Sequence, residues 1–134
     1  MSTDALAWLA RWENLVNAGD IEAARPFFAE DVVAFGSLTA AMRGLDDLVE
    51  RQWSQIWPTI RDFALDRDAL SIRTGGNGSF VVIAGSYRSQ GKDGAGGWYD
   101  RAGRATLVLE RREAGYVCVH SHFSMNLGVP PKRV

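Results

Sequence analysis

The chain has 134 residues, 46% of them hydrophobic and 23% charged, with a formal net charge of -1 and one cysteine. That length supports one core burying roughly two-thirds of the unfolded surface, and the composition is that of a folded globular protein, not a disordered or fibrous one. Arginines interspersed with acids give no clustered basic face for nucleic acid, the lone Cys118 permits no intrachain disulfide, and no apolar run approaches the roughly 20 residues that cross a bilayer.

The opening MSTDALAWLARWENLV lacks a basic start, and Asp4, Arg11 and Glu13 interrupt its apolar residues. It does not read as a signal peptide, and a reduced, cytoplasmic setting is expected. Leu9, Trp12 and Val16, flanked by Trp8 and Leu15, repeat at steps of three and four, which predicts a helix over residues 3–18. Ser2 or Thr3 suits its start and Gly19 its left-handed close. Asp20 caps a second, short helix that Pro26 limits and that turns Phe27 and Phe28 inward. Asp31 to Gly36 reads as a strand. After Gly44, Asp46 and Asp47 favour a third helix, with Leu48, Trp53, Ile56 and Trp57 as its apolar steps and Pro58 as its end.

From Ile60 the period changes from helical to alternating. Strands are predicted near 60–73, 79–90, 101–112 and 116–125, the first bent among Asp66, Arg67 and Asp68, where the parity of Phe63 and Leu65 gives way to that of Leu70 and Ile72. The glycine-rich stretches at 74–79 and 90–97 have no following helix and read as turns, not phosphate loops. The GVPPKRV tail is expected to be loosely held. Helices first and antiparallel strands after predict an α+β domain spanning residues 1–134, with one sheet face against the helices.

Alternation along the last two strands sorts their side chains. Ala105, Leu107, Leu109, Val117, Val119, Ser121 and Phe123 fall on an apolar face, while Arg104, Thr106, Cys118, His120 and His122 fall on the other. Ser121 and His120 therefore face opposite sides of one strand, which rules out a Ser-His nucleophile. Cys118 on the outer face lacks an activating cation.

The segments GRATLVLERR and VHSHFS, with Trp12, FFAEDVVAFGS and RGLDDL, resemble the SnoaL-like branch of the nuclear-transport-factor-2-like superfamily. That superfamily also holds ketosteroid isomerases and the association domain of calcium/calmodulin-dependent kinase II. The resemblance covers nearly the whole chain and implies a cone: three N-terminal helices over a curved antiparallel sheet, the cystatin-like fold, with a pocket between. It also implies a homodimer paired through the outer sheet face, which nominates Arg104, Thr106, His120 and His122 as interface residues. By the same resemblance, positions that are pocket arginines in the kinase association domain are Tyr87, Leu107 and Phe123 here. The pocket is thus expected to favour apolar or neutral ligands over carboxylates.

Two functional readings stand side by side. In one, the protein is a cofactor-free isomerase, cyclase or dehydratase that moves a proton on a carbonyl compound, which needs a carboxylate base and an oxyanion donor. Tyr87 is the candidate donor and Asp31, Asp66 or Asp68 the base. In the other, it is a non-catalytic ligand-binding or association module. Either way the expected pocket lining is Trp12, Trp53, Trp57, Tyr87, Leu107, Ser121 and Phe123, rimmed by Trp98, Tyr99 and Arg101. The His120/His122 pair has no third histidine and is assigned to the interface, not to a metal, and no cofactor is expected.

Overall fold

The structure is a computed structural model, and it describes residues 3–36 and 39–129. Helix α1 (Thr3–Ala18) buries Trp8, Leu9, Trp12 and Val16, and ends at Gly19, whose φ of 67° is the left-handed conformation glycine adopts freely. Of the two expected caps, Ser2 lies outside the described residues, as does most of the tail, and Thr3 is the first residue of the helix itself. Asp20 Oδ1 accepts from the Ala23 amide (3.2 Å) and starts α2 (Ile21–Ala24), which a 3-10 turn over Arg25–Phe27 closes at Pro26. Strands β1 (Phe28–Phe35) and β2 (Met42–Arg43) follow.

The third helical segment is not uniform. It runs as α3 (Leu45–Leu48), widens to a π-helical turn over Val49–Trp53, and tightens through α4 (Ser54–Ile56) into a 3-10 turn over Trp57–Thr59. Six strands complete the chain: β3 (Ile60–Leu65), β4 (Ser71–Gly75), β5 (Phe80–Lys92), β6 (Trp98–Asp100), β7 (Gly103–Arg112) and β8 (Gly115–Met125). The sequence did not distinguish β6 from its glycine-rich turn.

The helices pack on a curved, open sheet ordered β2-β1-β8-β7-β5-β3, with β4 and β6 also paired to β5. Most pairings are antiparallel, but β1 runs parallel to β8, so the sheet is mixed. The anticipated break at 66–68 is a 3-10 turn over Arg67–Ala69, in which Asp66 Oδ1 accepts from the Asp68 amide (3.0 Å), and it divides the first predicted strand into β3 and β4.

A second irregularity, in β3, shapes the site. Register with β5 slips between Arg61 and Ala64, and Asp62 sits at φ 57°, a strained conformation for a residue with a side chain. Helix α1 takes over the hydrogen bonds that β5 does not provide there. Asn17 Oδ1 accepts from the Phe63 amide (2.8 Å) and its Nδ2 donates to the Phe63 carbonyl (2.9 Å). Glu13 Oε2 accepts from the Leu65 amide (2.8 Å) and from Arg67 Nη1 (3.0 Å), while Oε1 accepts from Arg67 Nη2 (2.6 Å). A buried carboxylate is tolerated because these donors satisfy it.

The C-terminal strand pair requires a correction. Leu107 pairs with Ser121 and Val108 with His120, but Leu109 pairs with Cys118, so Val119 is the extra residue of a β-bulge. A bulge exchanges the two faces of a strand. Beyond it Ser121 and Phe123 point inward, as the alternation predicts; before it, the inward residues are Tyr116 and Cys118, not Val117 and Val119. Cys118 is therefore fully buried in the core, its thiol donating to the His120 carbonyl (3.2 Å), and not on the outer face.

Candidate functional site

Between the helices and the inner sheet face lies a cavity of about 40 Å³. Helix α1 presents Trp12 and Val16, one turn apart. In the third helical segment the π-helical turn, where the Ser54 amide reaches back to the Val49 carbonyl, brings Gln52 and Trp53 to the lining together, with Ile56 and Trp57 a turn later. Gln52 also lies against Gly36, where any Cβ would meet its amide nitrogen. Ile60 and Phe63 come from the β3 region, Tyr87 from β5, Arg101 from the β6–β7 connection and Phe123 from β8.

The walls are aromatic and interlocked. Trp53 and Trp57 stack at 4.6 Å between ring centres; Trp12 meets Phe63 edge-on at 5.6 Å and Trp57 at 6.4 Å. The polar groups are fewer and mostly donors. Tyr87 is buried, and its hydroxyl donates to Met125 Sδ (3.3 Å) and accepts from the Arg101 guanidinium. Burial pushes the Tyr87 pKa up, and Arg101 only partly offsets this through its charge and hydrogen bond. Tyr87 is thus a protonated donor at neutral pH. It has room because its partner across the ladder is Gly103, where a Cβ would collide with the Tyr87 hydroxyl and the Ser124 carbonyl. Trp12 contributes an indole N–H that is buried and finds no acceptor among the described residues.

Arg101 is 5% exposed. Two buried bonds fix its backbone: its amide donates to the Ser89 carbonyl (2.8 Å), and Ser89 Oγ donates to its carbonyl (2.6 Å). The expectation of an uncharged pocket therefore fails. A cation enters the lining from the connection that precedes β7, not from the strand positions where arginines were missed.

Of the residues expected to line a pocket, Trp12, Trp53, Trp57, Tyr87 and Phe123 do so, whereas Leu107 and Ser121 are buried in the core outside the lining. Of the expected rim, Arg101 is in the wall itself. Trp98 is on the surface with the Arg61 guanidinium 4.1 Å from its ring centre, and Tyr99 packs on Gly91. Val16, Gln52, Ile56, Ile60 and Phe63 were missed. Val16 and Ile56 stand a helical turn from Trp12 and Gln52, a signal that periodicity could have supplied. Asp31 and Asp68 are exposed, Asp66 closes its own turn, and none of the three lines the cavity.

The outer face of the sheet holds Arg104, Thr106, His120 and His122, arranged in rungs: Ala84, Thr106, His122 and Phe35 on one, Val82, Val108, His120 and Val33 on the next. His120 Nδ1 donates to the Val33 carbonyl (2.7 Å), and Phe35 meets the rings of His120 and His122 edge-on at 5.1 and 5.4 Å. Arg104 Nε donates to Ser124 Oγ (3.1 Å). No group of three His, Cys, Asp or Glu side chains is gathered among the described residues. No helix among them is long and apolar enough to cross a membrane.

Comparison with known proteins places this geometry in context. The SnoaL-like domain family matches residues 5–128. Among solved structures, a candidate calcium/calmodulin-dependent protein kinase II association domain from Xanthomonas campestris superposes with a TM-score of 0.80 at 18% identity, covering 93% of this chain and 87% of that one. A ketosteroid isomerase-like protein from Erwinia carotovora gives 0.70 at 18% identity, over 92% and 98% of the two chains. A candidate dehydratase of the nuclear-transport-factor-2-like family from Streptomyces avermitilis gives 0.78 at 14% identity, over 93% and 95%. At such identities these likenesses establish the fold alone. No curated protein matches the chain.

Proposed function

Since the chain belongs to the SnoaL-like domain family, we propose that it is a small-molecule-binding module, working as a homodimer, and not an acid–base catalyst. One observation carries this: among the described residues, no side chain lining the cavity can take up a proton at neutral pH. Asp, Glu and His are absent from the lining, arginine does not deprotonate in proteins, and Tyr87 keeps its proton. Proton abstraction beside a carbonyl needs a base within hydrogen-bond reach, and isomerase or dehydratase chemistry of the kind named for two of the similar structures has no such group here. What the cavity does offer is an aromatic enclosure with a few fixed donors, the usual makeup of a small-molecule site.

Pairing through the outer sheet face is supported by its apolar rungs and by Phe35, Phe80 and Val82, which are 39%, 47% and 37% exposed. The likeness to an association domain points the same way. Arg104, Thr106, His120 and His122 would then lie in the contact.

Two measurements test the proposal. Deuterium exchange beside the carbonyl of a cyclic enone, followed by NMR, is expected to proceed at the buffer rate with the protein present; acceleration that Tyr87→Phe abolishes would establish catalysis instead. Sedimentation is expected to show a dimer that Arg104→Glu combined with His122→Glu dissociates, and a monomeric wild type would overturn the association half.

A further inference from the structure

Resting on the reading of the outer sheet face as the pairing surface, we propose that the two copies are held by a reciprocal contact: Phe35 of each enters a hollow around Ala84 and Thr106 on the other. Three observations converge on it. The first is that the hollow and a side chain able to fill it stand on one face of one chain. The hollow is lined by Ala84, Gly85, Arg104, Thr106, His122 and Ser124. It is recessed because Ala84 and Thr106 are short and Gly85 has no side chain, while Arg104 is tied to Ser124 Oγ (3.1 Å) at its side. Phe35 is a large apolar side chain left 39% exposed, and its ring is already held edge-on to His120 and His122. A side chain fixed before docking loses little freedom on binding.

The second is position. Phe35, His122, Thr106 and Ala84 are successive members of one rung across β1, β8, β7 and β5. Adjacent strands lie about 4.8 Å apart, which puts Phe35 about 14 Å from Ala84, too far to cover it within one chain. A two-fold axis in the plane of contact, running along the strands between β7 and β8, lays β1 of one copy over β5 of the other. Phe35 then stands over the partner's Ala84, and the symmetry makes the contact twice. The same axis sets His122 over the partner's Thr106, two groups able to hydrogen-bond, and Arg104 over the partner's Ser124 instead of over a second guanidinium.

The third is area. Strands β1, β8, β7 and β5 hold 8, 11, 10 and 13 residues. At about 3.3 Å per residue and about 4.8 Å per strand, their outer face measures roughly 700 Å². An interface of standard size takes about 600–1,000 Å² from each partner, so a second copy of this face matches it, whereas a single helix about 10 Å across would leave half of it in water. Phe80, the other exposed phenylalanine among the described residues, opens β5 beside Glu110 and the Glu110–Arg112 ion pair (2.7 Å), at the margin of this face.

Sedimentation of the whole chain tests the contact and the pairing separately. The wild type is expected to be a dimer. Phe35→Ala removes the inserted ring and Ala84→Phe fills the hollow from its own chain; each is expected to raise the dimer Kd about thirtyfold or more, and Phe80→Ala to change it by less than about threefold. Neither Phe35 nor Ala84 belongs to the buried core, so both variants keep the fold. The deciding sample is an equimolar mixture of the Phe35→Ala and Ala84→Phe proteins. A mixed pair keeps one native Phe35–Ala84 contact and exchanges ring and hollow in the other, so it is expected to associate about tenfold or more tightly than either variant with itself. A monomeric wild type overturns the pairing and this contact with it. A dimeric wild type whose Kd neither variant changes overturns the contact while the pairing stands. Variants that weaken the dimer without rescuing each other in the mixture show that the two residues do not face one another, which overturns the reciprocal seating.

Discussion

Replacing Glu13 separates two explanations of how helix α1 holds the β3 bulge that carries Phe63 into the cavity. The carboxylate accepts three hydrogen bonds, one from the Leu65 amide and two from Arg67. Leu65 is 1% exposed, so in Glu13→Ala its amide can reach neither water nor another acceptor, and an unsatisfied buried donor costs about 1–3 kcal/mol. The Arg67 side chain is 40% exposed, and screening keeps that part of the interaction to about 1 kcal/mol or less. Glu13→Ala should therefore lose about 1–4 kcal/mol in all. Glu13→Gln retains an acceptor for the amide and should lose about 1 kcal/mol or less. At about 3–4 °C per kcal/mol for a domain of this size, thermal unfolding resolves the two variants readily. Equal losses in both would mean that the ion pair, not the amide, secures the bulge, and the reasoning would be refuted.

Other predictions follow from the same contacts. Asn17→Leu removes both bonds to the Phe63 backbone at a partly exposed site and should cost about 1–2 kcal/mol by urea denaturation, with weaker ligand binding because Phe63 loses its anchor. Gly103→Ala places a methyl group against the Tyr87 hydroxyl and the Ser124 carbonyl; overpacking of this kind costs about 1–3 kcal/mol, and a spectral shift of Tyr87 should accompany the loss. Burial pushes the Cys118 thiol well above its ordinary pKa, so at any pH near 8 it carries less thiolate than a free cysteine. Labelling by a thiol reagent should be orders of magnitude slower in the native protein than in denaturant, and comparable rates would contradict the inward placement of Cys118.

The order of helices and strands was legible because the β-formers of residues 31–36 stand between two helical segments, because the period turns from helical to alternating at Ile60, and because Gly19, Asp20 and Pro58 punctuate it. The aromatic wall was legible for the same reason: Trp12, Trp53 and Trp57 fall on inward helical steps. The β8 bulge was not. In the run Tyr116 to Phe123 valine and cysteine are both acceptable inside, so alternation alone chose the wrong register for its first half, and only pairing with β7 identifies Val119 as the extra residue. Arg101 was hidden by a sound prior. Arginine after a glycine-rich turn is normally solvated, and what turns this one inward is the buried pair of bonds between its backbone and Ser89, twelve residues away across the β6 hairpin. The parallel contact of β1 with β8 joins the two ends of the chain, which no local pattern encodes.

The most direct measurement follows the tryptophan indole N–H resonances of the protein by NMR under increasing xenon pressure, with Trp12→Phe supplying the assignment. Trp8 is an internal control: its indole N–H is likewise buried without an acceptor among the described residues, but it lies outside the cavity lining. A saturable shift of the Trp12 resonance with Trp8 unmoved is the predicted result. A Trp12 resonance that stays in place up to the highest pressure, or moves only in step with Trp8, would contradict the reading of the cavity as a ligand site.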